Sequence, residues 1–253
     1  MTSHRLDQYK GSLTADQIAA GMTAADRNVR RLLTDARVLL DAGRFPSAAA
    51  LAILSIEESG KGSILRGLAL AGSEEELKQR WREYRSHTKK NAAWILPTLA
   101  AKGARSLDEL RPIFDEQSDH PYVLDQVKQI SIYTDCLGKA HWSIPDEVIS
   151  ESLARTLVQT AEIFSRAREV SAEEIELWIE HLKPVSHGPH EWVKRALVNW
   201  HRAAVARGLM SSSDEAMEQF VSGGLGRPVA PEIGQKAASA RVISHPTTRK
   251  PRS

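Results

Sequence analysis

Apolar positions recur along most of this chain at the spacing of a single helix face. Between Asn28 and Leu40, the residues Val29, Leu32, Leu33, Ala36, Leu39 and Leu40 keep that spacing. Gly43 then marks a stop, and Pro46 suits the first turn of a second helix. A hairpin of two helices with a short connection is expected. The second run, FPSAAALAILSIEESGKGSILRGLALAG, is apolar nearly all round in its first half. That pattern predicts a central helix covered by several neighbours. Ser73 opens a third helix, expected to continue over 74–96 until Pro97. From Pro145, the series Ile149, Leu153, Leu157, Ala161 and Phe164 predicts one long amphipathic helix, and two more are expected around Glu173–Leu182 and Glu191–Ala206.

Start signals agree with this pattern. Thr14-x-x-Gln17, Ser73-x-x-Glu76, Ser106-x-x-Glu109, Ser171-x-x-Glu174 and Ser212-x-x-Glu215 all have capping-box form. ISIYTDC is the one strand-like run, too short to build a sheet, and no internal repeat is visible. The expected fold is therefore all-α: a helical core over 14–100, further helices of the same or a closely packed unit over 101–222, and a flexible tail over 223–253. The tail carries several prolines and Arg227, Lys236, Arg241, Arg249, Lys250 and Arg252 against only Glu232.

Charge and composition change this picture little. A formal net charge of +2 over 253 residues argues for no particular partner, so any electrostatic site must come from local clustering. The single cysteine, Cys136, excludes an intramolecular disulfide and zinc-finger spacing. No apolar run reaches the length of a membrane span, and MTSHRLDQYKGSLT lacks a signal-peptide core; no membrane association and a cytoplasmic location are expected.

Two stretches concentrate chemistry. In IEESGKG, Glu57 and Lys61 are four apart and expected on one helix face, with Glu58 beside them. Carboxylates that follow a strongly apolar run on the same helix need cationic partners in a cleft or a partner subunit. In WREYRSHTKKN and just before it, Arg80, Tyr84, His87 and Asn91 form a stripe on a continuous helix, with Lys90 at its edge. Arg82, five residues before His87, falls on another side of an ideal helix; only a long arginine side chain or a helix irregularity would bring the two together. The histidines His181, His187 and His190 sit in a glycine–proline loop without a carboxylate-rich helix, so no metal site is expected there. No phosphate-cradling glycine loop, nucleophile elbow or HExxH pattern occurs.

These residues resemble the AbiV-type abortive-infection proteins. The likeness lies in IAAGMTAADRNVRRLLTDARVLL with Asn28, then GRFPSAAALAILSIEESGKG, then the group Trp81, Tyr84, Arg85, His87 and Lys90, then VKQISIYTDC with Trp142 and Pro145. It covers roughly residues 14 to 170. AbiV proteins are placed in the HEPN superfamily, so the resemblance implies a HEPN-like helical bundle. Many HEPN proteins are dimeric, metal-independent endoribonucleases that use an arginine, a gap of four to six residues and a histidine. Arg82-x4-His87 has that spacing, as does Arg80-x6-His87; Glu83 stands where many relatives carry a different polar residue after the arginine. The implied site has Arg82 and His87 as catalytic residues, supported by Glu57, Glu58, Lys61, Arg80, Tyr84, Arg85, Lys90 and Asn91, with no metal or cofactor. Implied partners are a second copy of the chain, RNA as substrate, and a phage-encoded activator or antitoxin-like protein. The competing reading is a non-catalytic helical protein that arrests growth by sequestering a phage or translation component, its charged groups serving as an interhelical network.

Overall fold

The computed structural model describes residues 7–115, 117–166 and 168–223. The expected basic tail lies outside these residues, apart from Gly223. The described chain is mostly helical: α1 (Ala15–Asp41), α2 (Phe45–Leu70), α3 (Glu74–Arg85), α4 (His87–Lys90), α5 (Leu96–Ala101), α6 (His120–Ile132), α7 (Pro145–Val148), α8 (Glu151–Phe164), α9 (Ala172–Leu182), α10 (His190–Ala206) and α11 (Asp214–Ser222). Short 3-10 turns flank α5 and follow α9. A two-stranded antiparallel hairpin, β1 (Asp135–Leu137) and β2 (His141–Ser143), pairs Cys136 with Trp142. ISIYTDC is thus split: its first half ends α6 and its second half forms β1.

α2 is the central helix. Ala48, Ala49, Ala52, Ile53 and Ile56 are buried against Leu33, Ala36 and Leu40 of α1, Leu124 of α6, and Ala154, Leu157, Val158 and Ala161 of α8. Small alanines along its first half let three helices approach closely. α1, α6 and α8 of the same chain cover this apolar surface. A second cluster joins Ile18, Ala19 and Met22 of α1 to Leu65, Leu68 and Ala69 of α2, Trp81 of α3 and Ile175 of α9. The α1–α2 turn holds Gly43 at φ 70, the left-handed region that favours glycine. Among the described residues, no helix is long and apolar enough to cross a membrane.

Thr14 and Gln17 form a complete capping box, and Ser73 and Ser171 accept from the Glu76 and Glu174 amides. Ser106 and Glu109 also bond reciprocally, but a 3-10 turn containing Pro112 follows rather than an α-helix. The fifth site is a correction: Ser212 bonds to His201 at 2.6 Å, and Ser213 takes the N-cap position of α11. Two expected long helices are also broken by serine. Ser150 caps α8 by accepting from the Leu153 amide, which separates it from α7. Ser86 is extended (φ −81, ψ 126) and accepts from the Lys89 amide, so a new helical turn begins at His87. A serine side chain offers the backbone a local alternative to continuing the helix.

Candidate functional site

The break at Ser86 rearranges the expected stripe. Arg80 and Tyr84 remain on α3, whereas His87 starts α4 and Asn91 ends it. α4 lies against α2 at Gly60, where an added Cβ would come 2.0 Å from the Lys90 carbonyl oxygen. That oxygen belongs to the backbone and cannot swing aside. Gly60→Ala is therefore expected to displace α4 and to cost about 1–3 kcal/mol or more. Gly62→Ala, whose added carbon meets only the Met22 side chain at 3.7 Å, should leave stability unchanged or raise it. Thermal melting of the pair checks the contrast.

This close approach sets His87 against Glu57. The His87 Nδ1–H donates to Glu57 Oε2 at 2.7 Å. Glu57 is only 2 % exposed, whereas the His87 side chain is 56 % exposed. A buried carboxylate thus fixes the ring orientation, and in the neutral imidazole it selects the tautomer with the proton on Nδ1 and Nε2 as acceptor. The other carboxylate oxygen, Glu57 Oε1, accepts from Lys128 Nζ at 2.5 Å, and Lys128 also pairs with Asp125 at 2.7 Å. Lys90 Nζ is 3.9 Å from Glu57 Oε2. Burial lowers the Lys90 pKa against the pull of Glu57, which raises it. Burial also opposes charge on Lys128, but Asp125 and Glu57 together outweigh it and raise its pKa.

The remaining candidates divide into three groups. Lys61 pairs with Glu58 at 2.6 Å rather than with Glu57, and its ammonium lies 5.2 Å from the Tyr84 ring centroid. The i,i+4 partner is lost because Glu57 turns inward to α4 and α6. Arg82 is 64 % exposed and pairs with Glu75 at 2.9 Å rather than with any group of the Glu57 cluster. Arg80 is likewise exposed and holds Glu83 at 2.8 Å. Both are surface pairs, worth about 0–1 kcal/mol, so either arginine can turn to an anion at small cost. Arg80 and Lys89 border a cleft of about 320 Å³ between α2, α3, α4 and the start of α6, together with Ser63, Thr88 and Tyr122. Asn91 is fully buried, and among the described residues its Oδ1 and Nδ2 find no hydrogen-bond partner.

Arg85 has another place. It lies 5.1 Å from the Trp81 ring centroid and donates to the Tyr9 carbonyl at 2.6 Å, while Trp81 Nε1 donates to the Gly11 carbonyl at 3.0 Å. These contacts tie the segment before α1 onto α3. Arg85→Ala is expected to lower stability by about 1–3 kcal/mol through the lost stacking and charge-assisted hydrogen bond, measured as a fall in melting temperature.

A family model described as AbiV, within the HEPN class, matches residues 17–166. The chain belongs to the AbiV family. No curated protein and no solved structure matches it. The AbiV match runs from α1 to the end of α8 and takes in every residue of the Glu57 cluster. α9 to α11 lie beyond it, as does a second buried carboxylate, Glu174, which holds Arg66 at 3.3 Å and Arg168 at 2.6 Å. Of the loop histidines, His187 pairs with Glu76 and His190 with Asp108.

Two members of the Glu57 cluster are not singled out by the sequence reading, Asp125 and Lys128. The available signal was local. Leu124, Lys128 and Ser131 share the buried face of α6, and a lysine on such a face requires an anion.

Proposed function

We propose that this AbiV protein is a phage-defence toxin that cleaves RNA without a metal ion, using His87 for proton transfer. The single observation that carries the reading is the pairing of exposed His87 with buried Glu57 at 2.7 Å. An imidazole whose Nδ1–H is held by a carboxylate presents Nε2 to whatever enters from solvent.

In the proposed reaction, Nε2 of a neutral His87 accepts the proton of a ribose 2′-hydroxyl. The 2′-oxygen forms a bond to phosphorus as the bond to the 5′-oxygen breaks. The leaving 5′-oxygen takes a proton from an imidazolium, the His87 of a second copy in a composite dimeric cleft. Products are a 2′,3′-cyclic phosphate and a 5′-hydroxyl, with all atoms and protons balanced. Arg82 or Arg80, released from its surface carboxylate, offers a planar fork to the phosphate oxygens as charge develops. Lys90 contributes positive potential close to the same histidine.

The competing account is a non-catalytic binding protein in which these charges only fix helix packing. Total RNA incubated with the purified protein in EDTA separates the two. Chelator-resistant fragmentation is expected; RNA that stays intact over a wide protein range would support the binding account.

A further inference from the structure

Glu57, His87 and Asp125 each bring a ligand atom within 4.8 Å of the others. Two carboxylates and an imidazole on three packed helices form a donor set suited to a divalent cation. A lysine ammonium contacts two of these three groups. Lys128 Nζ stands 2.5 Å from Glu57 Oε1 and 2.7 Å from Asp125 Oδ1. An aspartate three residues before a lysine is ordinarily a surface pair of small consequence. Here the lysine side chain is 5 % exposed, and Glu57 reaches it from a helix 71 residues earlier. The other charges nearby do not compete for the position. Lys90 is 3.9 Å from Glu57, beyond hydrogen-bond reach, and Glu58 and Lys61 satisfy each other at 2.6 Å.

We infer that the Lys128 ammonium is the resident cation of the Glu57–His87–Asp125 cluster, occupying the place a divalent ion would take and, by holding Glu57 Oε1, fixing Glu57 Oε2 on His87. Lys128 is then a positioning residue that acts on His87 through Glu57. The raised Lys128 pKa agrees with a cation held in place by two carboxylates. The orienting role rests on the reading of His87 proposed above; the occupancy of the cation position does not.

The test uses Zn²⁺ alone on the full chain, without RNA, read by titration calorimetry, thermal melting and ¹⁵N NMR of the His87 ring. In EDTA, Lys128→Ala is expected to melt roughly 10 °C below the wild type, the scale for a broken buried ion pair in a chain of this size. Zinc should then bind one-to-one, perturb the His87 ring nitrogens and restore most of the lost melting temperature. Adding Asp125→Asn to Lys128→Ala should abolish that recovery. Lys128→Arg, which keeps the charge, should take up no zinc at His87. A Lys128→Ala chain that folds only with zinc supports the inference; one that folds neither with nor without it overturns the inference. So does a wild-type chain that binds zinc through His87 as tightly as the variant does, or a folded Lys128→Ala that gains no zinc. These readouts stand whether or not the protein cleaves RNA, so failure of the cation inference and failure of the RNA reading are separable.

Discussion

His87→Ala is expected to lower the proposed RNA cleavage by roughly 10²–10⁴-fold, the scale of general acid–base help, and to leave the fold in place. The structure separates these two effects. His87 is more than half exposed, and while it bonds Glu57 Oε2, the other oxygen of that carboxylate is held by Lys128. Its removal leaves Glu57 anchored by Lys128, so no buried charge is orphaned. Arg82→Ala should also reduce cleavage by removing a phosphate contact, with a stability change of no more than about 1 kcal/mol, since Glu75 is an exposed partner. Cleavage rate, melting temperature and dimer state measured on the same preparations check both variants. A folded His87→Ala that arrests growth like the wild type would remove the catalytic reading.

Glu57→Ala is expected to be strongly destabilising, costing about 3–5 kcal/mol. Breaking a buried pair from one side leaves uncompensated charge, which costs more than the pair contributed. Lys128 would keep Asp125, but Lys90, whose charge burial opposes and Glu57 favours, would lose that carboxylate. For a chain of this length the fall in melting temperature is on the order of 10 °C. Glu58→Ala is the comparison: its carboxylate serves Lys61 on the same helix, and it should cost far less. Thermal melting of the two side by side distinguishes a buried hub from an ordinary helix pair.

The bundle was largely legible because its elements announce themselves locally. The periodicity from Val29 to Leu40 and the apolar surround of Ala48–Ile56 correspond to α1 and the buried half of α2. Breaks were harder to read. Ser86 and Ser150 interrupt helices without glycine or proline, and a lone serine is as compatible with a helix interior as with a cap until its side chain is seen to bond the amide three residues on. The site was half legible. Glu57 stands out as a carboxylate that follows an apolar run and His87 as the histidine of a charged stretch, and their contact needs only that the two helices pack face to face. The pairing of Glu57 with Lys128 depends on α6 crossing α2, a contact between residues 71 apart that no local pattern encodes. The regular helix assumed for residues 74–96 also misplaced Asn91, which the turn at Ser86 carries into the interior.

The most direct measurement is the chemistry of the RNA ends. RNA cut by the purified wild type in EDTA is expected to carry 2′,3′-cyclic phosphates and 5′-hydroxyls, and His87→Ala should produce neither at a comparable rate. Uncut RNA, or fragments with 3′-hydroxyl and 5′-phosphate ends, would contradict proton transfer by the Glu57-held His87 to and from the ribose and leaving oxygens.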